Sequence, residues 1–328
     1  MKIFVISGFL GAGKTTFIQA LSQKTGIVFA VMENEYGEAG IDGALLKRDR
    51  LKVWELTEGC ICCSLKSDFA SSILTIANTL APEYLIVEPT GVGLLSAVLN
   101  NIGKIEYDRI QLLEPVTVAD VHCVEHYLKE FGDIYADQLK NTPRILLSKI
   151  ENASTEELNR ITAILRTVNP DAEILNIPYQ NQPEEWWYRL LQTPLNKQRT
   201  IVLPEKDHAP DLENISITGI AVDTVNELLE LLIALLRGYF GAVYRAKGFV
   251  SIGGQWTKFD IVDRQYTVAV CDPMPKSKAV IIGQNLDRTR LQNAFTAAAP
   301  LLYRPYTANP EAEYVSKRGK YFPLSSVR

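Results

Sequence analysis

The chain has 328 residues and a mass of 36.6 kDa, a length that predicts two domains. Hydrophobic residues make up 47% and charged residues 22%, which is the composition of a globular protein and excludes a disordered chain, a collagen-like repeat and a coiled coil. The net charge of −4 lacks the basic surplus of a general nucleic-acid binder, so no nucleic-acid partner is expected. The longest apolar stretch, Leu228–Leu236, contains Glu230 and is too short to cross a membrane.

The apolar run Ile3–Ser7 near the start of the chain leads into Gly-Ala-Gly-Lys-Thr-Thr and not into a cleavage site of small residues. We therefore interpret it as the buried first strand of a cytoplasmic protein. The five cysteines are too few for a disulfide-stapled scaffold, and three of them crowd together at Cys60, Cys62 and Cys63. That clustering indicates metal or redox chemistry in a reducing compartment.

Short β-branched runs alternate with helical patterns through the first half of the chain. Strands are predicted at Ile3–Ser7, Ile27–Met32, Lys52–Leu56, Tyr84–Val87, Val116–Ala119, Arg144–Leu147 and Glu173–Ile177. Helices are predicted at Lys14–Gln23, at Ser64–Leu80 and, opened by a capping box of Ser154 with Glu157, up to Val168. The strands are nearly continuous apolar runs, as is typical of parallel strands covered on both faces, so the pattern predicts an α/β fold.

The composition changes over 178–210, where five prolines and the pair Trp186-Trp187 indicate a last helix followed by a linker. Beyond it we predict a small α+β domain with the following elements: a strand at Ile215–Val222, a helix opened by Thr224 with Glu227, strands at Gly248–Ile252, Lys258–Val262, Tyr266–Val270 and Ala279–Ile282, and a helix at Asp287–Ala298. The expected boundaries are 1–195 for the first domain, 196–212 for the linker, 213–304 for the second domain and 305–328 for a tail.

The strongest motif is Gly8-Phe-Leu-Gly-Ala-Gly-Lys-Thr15, which fits G-x-x-x-x-G-K-[ST] between a predicted strand and a predicted helix. Glycines let the backbone N–H groups and the helix N-terminus face phosphate oxygens. We therefore predict a P-loop nucleotide site in which the lysine reaches the β- and γ-phosphates and the first threonine binds Mg²⁺. The expected phosphate-binding residues are Gly8, Gly11, Ala12, Gly13, Lys14, Thr15 and Thr16.

A carboxylate, that of Glu88, belongs to the same prediction. Glu88 ends the apolar strand Tyr84–Val87, the place for an acid linked to Mg²⁺, although a surface acid at a strand end is the plain alternative. Gly91 is expected to offer its N–H to the γ-phosphate. Position 92 is Val and not a water-orienting glutamine, so slow hydrolysis is expected. Asp120 ends another apolar strand and is either a phosphate-side residue or a cap.

The run Ser148-Lys149-Ile-Glu151 resembles the guanine-reading N-K-x-D motif of GTPases. Serine replaces asparagine and glutamate replaces aspartate. Because glutamate keeps two acceptor oxygens for the guanine N–H groups, the run predicts a weakened preference for GTP. A plain exit from a strand into a loop is the alternative.

The thiols of Gly59-Cys60-Ile-Cys62-Cys63 are soft ligands suited to Zn²⁺ or a similar ion. The set is incomplete for a closed four-sulfur site, which suits a metal that must be handed on. One carboxylate of the acidic run Glu33-Asn-Glu35-Tyr-Gly-Glu38 is expected to complete it, with Glu33 and Glu38 as candidates. Inert buried thiols and solvated acids are the alternatives.

Taken together, the glycine motif at 8–16, the acidic run at 33–38, the cysteine motif at 59–63 and Glu-Pro-Thr-Gly at 88–91 resemble the CobW-type P-loop GTPases, which are relatives of the nickel-maturation GTPases of hydrogenase and urease. In the second half, Arg245-Ala-Lys-Gly-Phe-Val, Trp256 with Phe259-Asp260, and Ile282–Arg288 resemble that family's C-terminal domain.

The resemblance implies a P-loop-type parallel sheet with helices on both faces, followed by a smaller α+β domain. It also implies a GTP-hydrolysing metal chaperone for Zn²⁺ or Co²⁺ that serves a client metalloprotein, for example in cobalamin biosynthesis. A homodimer is one of the assemblies that stay open. Two other functions stay open: a metal sensor or buffer with little turnover, and an ATP-using P-loop enzyme with an incidental zinc site.

Overall fold

The structure is a computed structural model that describes residues 1–33, 52–55, 66–196, 198, 200–203, 212–262 and 265–296. The first group of elements comprises β1 Lys2–Ser7, α1 Lys14–Thr25, β2 Ala30–Glu33, β3 Lys52–Glu55, α2 Lys66–Thr79, β4 Tyr84–Glu88, α3 Leu95–Gly103, β5 Gln111–Leu112, β6 Val116–Asp120, α4 Val124–Glu130, α5 Gly132–Lys140, β7 Arg144–Ser148, α6 Thr155–Val168, β8 Glu173–Leu175 and α7 Glu184–Leu190.

These strands form one parallel sheet in the order β3-β2-β4-β1-β6-β7-β8, with the short β5 paired to β1. Because the strands are parallel, their carboxyl ends meet at one edge of the sheet, which is where open α/β sheets bind ligands. The loop after β1 and the residues that end β2, β4, β6 and β7 therefore gather at that edge.

Side chains alternate between the two faces of this sheet, and both faces are covered. Phe4 and Ile6 of β1 pack with α1 and α7 on one face. Ile3 and Val5 pack with α2 and α3 on the other, where β6 and β7 also meet α4, α5 and α6. Two buried faces explain why the strands read as continuous apolar runs. The predicted α/β fold class is confirmed.

The tryptophan pair of α7 lies in the core. Trp187 is fully buried and stacks on Phe17 of α1 at a ring-centroid distance of 5.6 Å, and Trp186 contacts Trp187 edge-on at 5.1 Å. Tyr188 donates a hydrogen bond from its hydroxyl to the carbonyl of Thr25 at the end of α1. The helix predicted at this place thus closes the first domain over α1.

The second group of elements forms a five-stranded antiparallel sheet in the order β12-β11-β10-β13-β9. Its elements are β9 Glu213–Thr218, α8 Val225–Leu236, β10 Ala242–Ile252, β11 Gln255–Val262, β12 Gln265–Val270, β13 Lys278–Gln284 and α9 Arg288–Thr296. One face of the sheet packs on α8 and α9 through Leu228, Leu232, Leu291 and Phe295. Thr224 and Glu227 form the predicted capping box of α8.

A two-residue turn joins β10 to β11. Both of its residues, Gly253 and Gly254, have positive φ angles of 57° and 83°, as a tight hairpin turn that matches the strand twist requires. The turn pairs Ile252 with Gln255 and so sets the register of the whole hairpin.

The two sheets pack against each other. Tyr244, at a register irregularity of β10, meets Phe131 of the first domain edge-on at 4.8 Å. Ile282 of β13 joins the apolar cluster formed by α4, α5 and α6. The second sheet is therefore apolar on one face and turned towards the first domain on the other.

Several predicted boundaries differ from the structure. The strand predicted to begin at Gly248 begins at Ala242, and the strand predicted up to Val222 ends at Thr218 because Gly219 has a φ of 70°. The predicted capping box of α6 is half formed: Ser154 caps the Glu157 N–H, whereas the Glu157 carboxylate pairs with His122. In the described part of the chain, no helix is long and apolar enough to span a membrane.

The core position of Trp187 gives a stability prediction. Trp187→Ala should lower the free energy of unfolding by about 3–5 kcal/mol because it empties a large buried volume. Within the described chain the indole N–H of Trp187 has no hydrogen-bond partner, so Trp187→Phe breaks no bond and should cost clearly less. Urea unfolding followed by circular dichroism measures both, and equal losses for the two variants would contradict the packing role.

Candidate nucleotide site

The loop between β1 and α1 adopts backbone angles that glycine alone accommodates easily. Gly8, Gly11 and Gly13 have φ angles of 146°, 70° and 95°. A Cβ on Gly8 would lie 2.3 Å from the carbonyl oxygen of Val118, so the loop runs directly against β6. The loop therefore holds the N-terminus of α1 at the sheet edge in the manner of a P-loop.

Lys14 begins α1, and its side chain is only 7% exposed. Its Nζ donates to the carbonyl oxygens of Gly8 and Phe9 at 3.0 and 3.4 Å and lies 3.8 Å from a carboxylate oxygen of Glu88. The ammonium group thus lies within the curve of the loop, close to the acid that ends β4. Phosphate groups are recognised at this position by the lysine of a P-loop.

The turn after β4 lies against the tip of the loop. A Cβ on Gly91 would lie 2.7 Å from the backbone nitrogen of Leu10, so the two backbones are in contact. Buried Gln138 of α5 donates from Nε2 to the carbonyl oxygens of Gly91 and Gly93 at 3.0 and 2.9 Å. Sequence reasoning missed Gln138, because its partners lie more than 40 residues away along the chain.

A buried hydrogen-bond network around Asp137 lies behind this turn. Asp137, next to Gln138, accepts hydrogen bonds from the Ser96 N–H at 3.1 Å and from the Asn141 amide at 3.0 Å. Burial raises the pKa of Asp137, and the hydrogen bonds from Ser96 offset part of that effect. The network ties α5 to α3, which fixes the helix that carries Gln138.

Two acidic residues stand in register beside Lys14. Glu33 of β2 is opposite Glu88 of β4, and Glu33 is also opposite residue 55, a glutamate, of β3. Glu33 is only 3% exposed and the Glu88 side chain 12%, and both line the same cleft as Lys14 and Thr15. These oxygen donors are suited to a hard cation such as Mg²⁺.

The serine of the predicted base-reading run supports the loop. The Ser148 hydroxyl donates to the carbonyl of Ala12 at 2.6 Å. Lys149, with a φ of 57°, lies in the cleft and pairs through Nζ with Asp120 at 2.6 Å, while the other oxygen of Asp120 accepts the His122 N–H. Asp120 is thus both a cap and the group that positions Lys149. Glu151 is exposed in a short 3-10 turn, outside the residues that line the cleft.

The cleft has a volume of about 550 Å³, and the second sheet closes its far side. Residues of β10, β11 and β12 line it opposite the loop; they are Arg245, Lys247, Lys258, Asp260, Val262, Gln265 and Thr267. Val262 touches the loop itself, because a Cβ on Gly11 would lie 2.5 Å from its side chain. The resemblance of this half to a C-terminal domain did not predict that it faces the nucleotide site.

The structure therefore brings together in one cleft the predicted residues Gly11, Ala12, Gly13, Lys14, Thr15, Thr16, Glu33, Glu88, Gly91 and Lys149. Gly8 and Ser148 contribute the backbone and hydroxyl contacts described above. Cys60, Cys62, Cys63 and Glu38 lie outside the described residues. Among the residues that are described, no group of three or more His, Cys, Asp or Glu could hold a metal ion.

The contact between Gly91 and the loop gives a prediction for this site. Gly91→Ala should weaken nucleotide binding by about 10-fold or more, because overpacking typically costs about 1–3 kcal/mol and here displaces the loop. Gly103→Ala, at the end of α3, adds a Cβ with nothing within 4 Å and serves as the matched control. Fluorescent-nucleotide titration measures both, and wild-type affinity in Gly91→Ala would refute the contact's importance.

The chain is similar to several known proteins. The chain is 25% identical over 314 residues to the zinc chaperone YjiA of Escherichia coli, covering 90% of this chain and 98% of that one. It is 28% identical over 214 residues to zinc-regulated GTPase metalloprotein activator 1 of Dictyostelium discoideum, covering 53% of this chain and 45% of that protein, so it spans less than half of this relative. The crystal structure of Zn(II)-bound YjiA GTPase from E. coli has a TM-score of 0.44 at 20% identity, covering 91% of this chain and 99% of that chain.

Two family models match the chain. Residues 222–299 match the cobalamin synthesis protein cobW C-terminal domain. Residues 2–176, more than half of the chain, match the CobW/HypB/UreG nucleotide-binding domain. With its P-loop at the carboxyl edge of a parallel sheet, the chain belongs to the CobW/HypB/UreG family.

Proposed function

We propose that the protein hydrolyses GTP and uses the nucleotide cycle to load Zn²⁺ or Co²⁺ and to pass it to a client metalloprotein. One observation carries the proposal: Glu33, the first residue of the predicted metal-binding run 33–38, lines the same cleft as Lys14 and Thr15 of the P-loop. The names of the relatives, a zinc chaperone and a zinc-regulated GTPase metalloprotein activator, support the same function.

Strand order supports a link between nucleotide and metal. β2 and β3 are adjacent and parallel, with Glu33 opposite residue 55, so the two strands end side by side about 5 Å apart. The acidic run follows β2 directly, and Cys60 comes five residues after the end of β3. The two strands that precede the predicted ligand segments in the sequence therefore end at the edge that holds the P-loop.

Mg²⁺ fits the oxygen donors of the cleft. We propose that Thr15 and Glu88 hold it beside the phosphates, with Lys14 next to Glu88. When bound, Mg²⁺ neutralises charge on the β- and γ-phosphates. The protein's own contributions are the loop backbone, which binds phosphate oxygens, and the Gly91 turn, which Gln138 holds against the loop.

Slow turnover is part of the proposal. Residue 92 is a buried valine, and the amide nitrogen of Gln138 is engaged by two backbone carbonyls. Valine has no polar group, and Gln138 is fully buried and is not among the residues that line the cleft, so we assign neither side chain to the attacking water. A GTPase that hydrolyses GTP slowly stays in its GTP-bound state for a long time. Such a long-lived state suits a switch for metal transfer better than rapid catalysis.

Lys14 tests the nucleotide part of the proposal. Lys14→Ala should abolish tight GTP binding and leave the metal affinity of the nucleotide-free protein intact, because the lysine contacts phosphate and the thiols belong to another segment. Lys24→Ala, exposed in the last turn of the same helix, is the matched control. Titration with fluorescent GTP, with ATP as competitor, reads out affinity and base preference. Retained GTP binding in a folded Lys14→Ala protein would overturn the proposal.

Metal affinity should also depend on nucleotide state. A γ-phosphate with Mg²⁺ orders the loops of such sites, so the affinity for Zn²⁺ should differ between the nucleotide-free, GDP and non-hydrolysable GTP forms. Linkage requires Zn²⁺ to change GTP affinity by the same factor. Cys62→Ala should remove the coupling, whereas Cys271→Ala, a thiol of the second domain, should keep it.

Competition titrations with a chromogenic chelator measure these affinities. Equal Zn²⁺ affinity in all three states would refute the switch and leave a metal-binding protein for which nucleotide is a structural ligand. Equal displacement of fluorescent GTP by ATP and GTP would instead favour an ATP-using enzyme.

A further inference from the structure

β12 forms one of the two edges of the second sheet. Among the described strands it pairs with β11 alone. The N–H of Cys271, the residue after β12, donates to the carbonyl of Trp256 at 2.9 Å. In an antiparallel ladder such bonds recur at every second residue, so half of the residues of β12 point their N–H and C=O groups towards β11 and the other half point them outwards.

The outward-pointing backbone groups belong to Tyr266, Val268 and Val270. Their side chains share one face of β12, the apolar face of the sheet, since Tyr266 is opposite Ile261 and Val268 is opposite Phe259. Val268 packs at the margin of the apolar cluster, whereas Tyr266 is 39% and Val270 64% exposed. The edge thus offers apolar side chains together with backbone hydrogen-bonding groups.

The arrangement of the two helices explains this exposure. α8 packs over β10, and α9 packs over β9. A helix is about 10 Å wide and neighbouring strands are about 4.8 Å apart, so two helices cover about four strands. β12, at the far end of the five-stranded order, is the strand that extends beyond them.

The opposite edge of the same sheet is protected by charge. Glu213 lies within β9, and Arg288 of α9 donates to the carbonyl of Asn214 at 3.3 Å, with its Nε 3.9 Å from the Glu213 carboxylate. Charged side chains at an edge are a usual protection against pairing with another chain. The sequence of β12, Gln-Tyr-Thr-Val-Ala-Val, contains no charged residue, no proline and no glycine, so it lacks this protection.

We propose that β12 is a dimerisation strand, whose outer edge pairs with the same edge of a second copy of this chain, antiparallel about a two-fold axis at Val268. In this register Val268 lies opposite its own counterpart, and Tyr266 lies opposite Val270 of the second copy. Outward-pointing groups then meet outward-pointing groups, which gives about six hydrogen bonds between the copies. The inference is independent of the nucleotide and metal chemistry proposed above.

A second copy has the properties that this edge requires of a partner. The partner strand must have an open edge of its own and must place no like charge opposite another, and β12 meets both conditions. Tyr266 beside a valine is an aromatic and β-branched pair, which stabilises antiparallel strands. Because both copies use the same surface, the contact closes as a dimer and does not extend into a fibre.

The length of β12 sets the strength of the contact. Six residues in a strand extend over about 20 Å. A contact of this length is smaller than the interfaces of stable complexes, which bury about 1,200–2,000 Å². We therefore expect a dimer that forms and separates readily, with a Kd in the micromolar range.

The paired strands would border both nucleotide sites. Gln265 and Thr267, on the other face of β12, line the cleft, and Val262 touches Gly11 at the same end of the sheet. A two-fold axis at Val268 therefore directs the two first domains towards opposite ends of the joined strands.

The test measures the mass of the full chain by sedimentation equilibrium over about 1–500 µM, a range that brackets a micromolar Kd. The wild type should shift from 36.6 kDa towards twice that mass. Val270→Lys places a charge on the edge at both ends of the pair and should weaken association by about 10-fold or more. Val28→Lys, the same change at a valine that is 51% exposed in the first domain, is the matched control and should associate as the wild type does.

Val268 tests the axis itself. Because this residue meets its own counterpart, Val268→Lys and Val268→Glu each place two like charges opposite each other, and each should weaken association by about 10-fold or more. An equimolar mixture of the two variants should restore the dimer, because lysine then lies opposite glutamate. Thermal unfolding identifies a variant that has lost its fold, in which case Val270→Lys, at an exposed position, decides.

A wild type that stays at 36.6 kDa over the whole range would overturn the proposal. Unchanged association in Val270→Lys would also overturn it, as would a mixture of folded Val268→Lys and Val268→Glu that associates no more strongly than either variant alone. The proposed function fails separately: it fails if Lys14→Ala still binds GTP, whatever the state of association.

Discussion

The close approach of neighbouring chain segments to the loop after β1 is the constraint on which the site depends. Three neighbours press on the loop where it has no Cβ or faces a residue without one: Val118 at Gly8, Val262 at Gly11, and Gly91 at Leu10. These contacts come from β6, from the second domain and from the turn after β4. The loop is therefore shaped by the whole molecule as much as by its own glycines.

The parallel sheet is the second constraint, because it determines where the polar side chains of the site lie. Its strands are apolar on both faces, so the polar groups of the chain collect where the strands end. Glu33, Glu88, Asp120 and Ser148 are each the last residue of a strand and lie within one row of adjacent strands. The spacing of these side chains is therefore the spacing of the strands.

Much of this could be predicted from the sequence because the signals are local. The glycine motif, the apolar strands and the capping box of Thr224 with Glu227 each occupy a few consecutive residues. The role of Gln138 could not be predicted, because its partners are distant in sequence. The position of Lys247 in the cleft could not be predicted either, because the opposite side of the cleft is formed by another domain.

The tight Gly253-Gly254 turn has a consequence far from its own position. It sets which residues of β11 stand opposite which residues of β10, and a strand displaced by one residue presents its other face. A shift of β11 by one residue against β10 would place Phe259 and Ile261 in the cleft and bring Lys258 and Asp260 into the core. The two glycines at the outer end of this hairpin thus determine whether charged or apolar side chains of β11 line the cleft, and relatives in which the turn has a different length are expected to differ in this lining.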